Sequence, residues 1–186
     1  MRKGMRVSTL CIAALLLAEM RPDAAPERYV AATVQNQRLE IRTDAGKSIV
    51  PRLRDGGNAA GQQVEFKDVV ISPDRRTVGW LAMYANCCTS YPIPLALVLY
   101  SDGKTREFTG TGLPIWRWAF QNEGKQVAFE QETVHGGIGI HYELRDVLTG
   151  RLLAHFEPKE SENHDERLAD ITANAPAWVK QLDASR

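Results

Sequence analysis

The chain has 186 residues, 44% of them hydrophobic, with 23 basic and 23 acidic side chains and a formal charge of zero. That length suits one domain, and the apolar share supports a hydrophobic core without a metal or a disulfide framework. A balanced charge leaves no electrostatic footprint for nucleic acid or an anionic membrane surface.

In chain order, Arg2, Lys3 and Arg6 precede an apolar run from Val7 to Ala18, and Glu19, Arg21 and Asp23 follow at once. A basic stretch ahead of an apolar run too short to span a bilayer reads as a signal peptide over residues 1–25. Cleavage is open between Ala18 and Ala24-Ala25, and Ser8-Thr9-Leu10 before Cys11 makes a poor lipoprotein site. The expectation is a periplasmic or secreted protein with no integral membrane segment once the leader is removed. Of the three cysteines, only the adjacent pair Cys87 and Cys88 then remains, in an oxidising compartment.

After the leader, period-two patterns dominate, which predicts an all-β domain over residues 26–158. Tyr29–Val34 and Arg38–Arg42 read as strands around Gln35-Asn36-Gln37, and Asp44-Ala45-Gly46 turns into a third strand at Ser48-Ile49-Val50. Residues 55–61, rich in glycine and small side chains, read as a flexible loop before the sheet restarts at Val64, Phe66 and Val69–Ile71. Leu95–Tyr100 is apolar at every position, as a strand covered on both faces would be. Ser101-Asp102-Gly103-Lys104 ends it with hairpin chemistry. Residues 159–186 read as a charged, exposed linker from Lys159 to Asp170, then a short helix opened by Pro176 with Trp178 and Leu182 on its docking face.

One phrase occurs twice. Ile71-Ser72-Pro73-Asp74-Arg75-Arg76-Thr77-Val78-Gly79-Trp80 aligns without a gap on Phe120-Gln121-Asn122-Glu123-Gly124-Lys125-Gln126-Val127-Ala128-Phe129, an offset of 49 residues. Each copy is a strand end, a polar turn and a strand restarting with a β-branched residue and an aromatic. A second turn recurs as Asp146-Val147-Leu148-Thr149-Gly150, with a partial copy at Thr43-Asp44-Ala45-Gly46-Lys47. These motifs resemble the repeat of TolB-like β-propellers, a branch of the WD-repeat-like propellers, over roughly residues 64–158. The first copy keeps Ser72-Pro73-Asp74 but has Arg75 where that repeat has glycine; the second keeps Gly124-Lys125-Gln126-Val127-Ala128-Phe129. The resemblance implies about two and a half antiparallel propeller-like blades, with Val78, Trp80, Val127 and Phe129 packed between them. A closed ring needs about four blades, so the expectation is an open or sandwich-like arrangement, or two chains sharing a ring as a homodimer.

The repeat also places candidate binding loops. Superposing the copies puts the hairpin loop at 86–94 and the one at 135–137 on one rim, where a β scaffold tends to carry its binding residues. The candidates are Asn86, Cys87, Cys88, Tyr91 and His135. Three states are open for the cysteines: a vicinal disulfide, buried reduced thiols, or a bond to a second chain. A turn at Gly136-Gly137 that pairs His135 with Ile138 would set Glu132 opposite His141 and Glu130 opposite Glu143, all on one face. Two carboxylates and an imidazole there are the candidates for a divalent metal, against the alternative of a solvated Glu–His pair. Trp116 and Trp118, bracketing Arg117, alternate onto one face, as core or as a stacking surface. No nucleophile elbow, zinc-protease helix or phosphate loop is present.

These observations predict an exported, non-catalytic binding or interaction module without a cofactor, taking a protein, peptide or small ligand. The alternatives are a small metal-dependent hydrolase using the Glu/His cluster and a redox sensor at Cys87-Cys88.

Overall fold

The computed structural model describes residues 27–56, 61–136, 139–159, 161 and 163–184. The leader expected over 1–25, the loop tip 57–60 and the Gly137-Ile138 pair lie outside the described residues. What is described is mostly β, in three antiparallel sheets, none closed on itself, followed by two short helices.

The front sheet is β1 (Tyr29–Gln35), β2 (Arg38–Thr43) and the two-residue β3 (Ser48–Ile49), in that order. Asn36 and Gln37 turn the first hairpin with φ of 50° and 60°, the left-handed pair a two-residue turn requires. Along β2, Leu39, Ile41 and Thr43 are buried while Arg38, Glu40 and Arg42 are exposed, so this sheet has one dry face and one wet face. The middle sheet is the meander β4 (Gln63–Ile71), β5 (Val78–Tyr84), β6 (Ile93–Ser101) and β7 (Lys104–Phe108). All seven residues of β5 are buried, and β6 is nearly so, because this sheet is covered on both sides. The rear sheet is a second meander, β8 (Ile115–Gln121), β9 (Gln126–Gln131), β10 (His141–Asp146) and β11 (Leu152–Phe156).

Three apolar clusters join these layers. Leu39 and Ile41 of the front sheet pack on Val78, Trp80 and Val98 of the middle one. The opposite side of the middle sheet, with Leu81, Leu97 and Leu99, packs on Trp118, Val127 and Phe129. Val78 and Trp80 therefore face the sheet before them, as Val127 and Phe129 do one sheet later. The hairpins share a register at the same 49-residue offset, Ile71 opposite Val78 and Phe120 opposite Val127.

The back of the rear sheet, with Ala128, Tyr142 and Leu144, is covered by α1 (His164–Asn174) and α2 (Ala177–Ala184). Helix α1 corrects the expectation of an exposed linker running to Asp170. Asn163 caps it by accepting the amide of Asp165 at 2.9 Å, Asp165 and Glu166 suit the positive end of its dipole, and Ile171 is buried. Asp165 and Glu166 face outward, whereas Arg167 is buried. In α2, Val179 and Leu182 are fully buried and Trp178 is half-buried beside them, so the docking face centres on Val179 instead of Trp178.

Candidate functional site

The repeated turns establish a common direction for the two meanders. In the first, Ser72 donates to Asp74 Oδ1 at 2.6 Å, and Asp74 Oδ1 also accepts the Arg76 amide at 3.0 Å. Arg75 takes a φ of 62°, and Gly124, its equivalent, a φ of 91°. A Cβ on Gly124 would stand 3.0 Å from Ser72 Cβ and 3.1 Å from Asp74 Oδ1, so the two turns lie directly against each other. Strands β5 and β9 leave these touching turns, and their far ends carry the two candidate loops.

On the first loop, between β5 and β6, Cys87 and Cys88 are both exposed, which corrects the reading of buried thiols. Their sulfurs stand at disulfide distance and their Cα atoms 3.8 Å apart. Tyr91 is 48% exposed. The loop is braced from inside: half-buried Asn86 donates through Nδ2 to Thr89 Oγ1 at 3.2 Å, and that hydroxyl donates to the Tyr91 carbonyl at 2.6 Å. Asn86 thus supports the loop, whereas the sulfurs and the phenol ring form its surface. On the second loop, His135 is exposed next to a turn closed by the Gly136 amide on the Thr133 carbonyl at 3.0 Å.

The candidate cluster of Glu130, Glu132 and His141 does not assemble. Register in the second hairpin is one residue from the expected one: His141 lies opposite Gln131, Tyr142 opposite Glu130 and Glu143 opposite Phe129. A slip of one residue exchanges the faces of a strand. Glu130 consequently points toward the helix side, where it is buried and paired with Arg117, while His141 and Glu143 share the opposite side. The strand ends before the expected turn: Gln131 closes β9, Gly136 turns back on Thr133, and β10 starts only at His141. Glu132 has left the strand: its amide donates to the Pro114 carbonyl and its carbonyl accepts Trp116 Nε1 at 3.0 Å. Among the described residues, no group of three or more His, Cys, Asp or Glu stands close enough to hold a metal ion.

His141 instead belongs to a ladder of close polar contacts. Its Nδ1 lies 2.9 Å from Glu157 Oε1 and its Nε2 3.1 Å from Glu143 Oε1, with its ring stacked on His155 at 6.1 Å. Buried Glu143 also accepts Arg145 Nε, and the Arg145 guanidinium sits 5.6 Å above the Phe108 ring. Both nitrogens of the imidazole are engaged by carboxylates, so the ladder is an interlock between β10, β11 and the middle sheet.

The tryptophan pair also departs from strict alternation. A bulge between Ile115 and Arg117 puts Trp116 out of phase, so Trp118 enters the core while Trp116 spans to the Glu132 carbonyl. At the Asp146 turn, the Thr149 hydroxyl and amide both donate to Asp146 Oδ1 at 2.7 Å and hold that carboxyl below its ordinary range. Gln131 was invisible as a key residue in the sequence. Fully buried, it accepts the Thr111 amide at 2.9 Å and donates to the carbonyls of Thr109 and Leu113, tying down the link between middle and rear sheets. Its one sequence signal is Gly110, where a Cβ would stand 1.9 Å from Gln131 Oε1.

A separate cleft of about 470 Å³ opens between the irregular segment after β3 and the middle sheet. Set against known proteins, the chain matches no family model and no curated relative.

Proposed function

We propose that this chain is an exported, non-catalytic binding module of the TolB-like propeller type, whose two meanders are successive blades and whose ligand is a protein or peptide held at the rim loops. The observation that carries this reading is the exposed Cys87-Cys88 pair with Tyr91 beside it, on a loop braced from within and rooted in the wholly buried strand β5. A rigid β scaffold with a fixed loop presents such groups at low entropic cost. A tyrosine ring offers apolar area with a polar tip, the combination enriched where proteins meet. The blade assignment draws support from the shared hairpin register, the touching turns and the left-handed φ at both Arg75 and Gly124.

The test is photocrosslinking in the producing cell, with a benzophenone side chain at Tyr91, at His135, or at Glu40 on the wet face of the front sheet. A discrete adduct is expected from positions 91 and 135 and not from 40, lost when Cys87 and Cys88 are both replaced by serine. Equal adducts at all three positions, or none at 91 and 135, would overturn the binding role. Intact mass spectrometry of the same material tests export: a retained leader on cytoplasmic protein would remove that part.

A further inference from the structure

The front sheet is one strand short of the meanders behind it, and the direction of its strands identifies the missing one. The Tyr29 amide donates to the Arg75 carbonyl at 2.8 Å, so β1 sets out from the same end of the stack as β5. The turn after β2, through Asp44 and Gly46, matches Asp102-Gly103 after β6 and the Asp146 turn after β10. Strand β1 is therefore the counterpart of β5 and β9. Those two are flanked by β4 and β8, whereas no strand among the described residues flanks β1 on that side.

The edge left open has unmet bonds and incomplete cover. Gln35 and Arg38 close a two-residue turn as a hydrogen-bonded pair, so alternation points the amides and carbonyls of Ala32 and Val34 away from β2. No hydrogen bond within the described residues meets them. Val34 shares the dry face with Leu39, its neighbour across the strands, yet Val34 is 38% exposed and Leu39 fully buried. Val69 and Ile71 of β4, on the same apolar cluster, are also only half-buried.

The end where β1 starts is cationic. Arg28, Arg75 and Arg76 are exposed there, with no ion-pair partner among the described residues. The neighbouring carboxylates are already engaged: Glu27 by Lys47, Asp44 by the Arg28 amide, and Asp74 by Ser72 and the Arg76 amide.

We propose that the open edge of β1 takes up an extended peptide from another protein, added antiparallel as the fourth strand of the front sheet. Main-chain bonds to Ala32 and Val34 hold it, and alternate apolar side chains cover Val34. Running as β4 and β8 do, the peptide ends beside the three arginines, which receive its C-terminal carboxylate. A second copy paired edge to edge would instead set those arginines against Gln35 and Asn36, which carry no charge. This edge is separate from the rim loops and is open whether or not they bind a ligand.

The probe is a synthetic copy of β4, Gln63–Ile71, with a free C-terminal carboxylate, added to ¹⁵N-labelled protein. Saturable binding is expected with a Kd below about 1 mM. Amide exchange should slow at Ala32 and Val34 and not in β11, the open edge of the rear sheet. Amidating the peptide's C-terminus, or combining Arg28→Glu with Arg76→Glu, should each weaken binding by roughly fivefold or more. Val34→Pro removes one outward amide and spares the β1–β2 ladder, so it should weaken the peptide by about fivefold. Should that variant fail to fold, N-methylation of alternate peptide amides probes the same bonds: one set should abolish binding and the other leave it unchanged. Protection of Ala32 and Val34 before any peptide is added would mean that the chain itself or a second copy fills the edge, and would overturn the site. So would equal slowing in β11, no saturable change up to about 5 mM, or binding indifferent to both sets of N-methyl groups.

Discussion

Arg75 holds a left-handed conformation at the position where its repeat partner is glycine, and the local hydrogen bonds explain how. Its amide donates to the Ser72 carbonyl at 2.8 Å and its carbonyl accepts the Tyr29 amide at 2.8 Å, so the strained residue links the turn to the front sheet. Those contacts are all main-chain and survive any side chain. Arg75→Gly should therefore raise stability by about 0.5–1 kcal/mol, the left-handed penalty less the extra unfolded-state entropy of glycine. Gly124→Ala should lower it by about 1–3 kcal/mol, since the new methyl meets Ser72 and the backbone conformation is strained. Urea unfolding of both variants decides the pair, and equal effects would contradict the packing of one turn on the other.

At the scale of elements, Gln131 shows how one side chain can hold a connection. Gln131→Met keeps the volume but leaves the Thr109 and Leu113 carbonyls and the Thr111 amide without their partner. The expected cost is about 1–3 kcal/mol, from three lost bonds between the buried amide and a half-exposed link, with faster amide exchange confined at first to residues 109–114. A uniform rise in exchange across all three sheets would instead show that the link is not a local unit. Strand content and turn positions in these meanders were legible because alternation and turn residues are local signals, as at Arg38–Thr43 and Asp102-Gly103. The register of the second hairpin was not legible. Pairing Glu132 with His141 rested on a two-residue turn, whereas β9 ends at Gln131 and β10 begins at His141, and one residue of slip moved Glu130 to the other face. Helix α1 was missed because its apolar positions are few and only burial against Tyr142 and Leu144 reveals their alignment.

The described residues form a stack of three sheets with a polar front face and a helix-covered rear face. At the front, Arg38, Glu40, Arg42 and Ser48 present a polar face; at the rear, α1 and α2 cover the apolar one. Neither end needs another copy to hide a hydrophobic sheet, which removes the main physical reason for two chains to share a ring. The protein should run as a monomer in size-exclusion chromatography with light scattering at micromolar concentration. A dimer that persists on dilution would require an interface at the strand edges or the rim.

Local rules made the all-β character, the turn chemistry and the doubled phrase readable from the chain alone, because each depends on neighbours within a few residues. The same rules brought the candidate loops into correspondence and marked Cys87, Cys88, Tyr91 and His135. Only the tertiary structure decided which groups meet across distance. It sent Glu130 and His141 to opposite faces, turned the charged segment after Asn163 into a covering helix, and laid residues 49–55 over Trp80 to form a cleft. Those outcomes depend on register and on the packing of one sheet against another, and neither is encoded in any short stretch of residues.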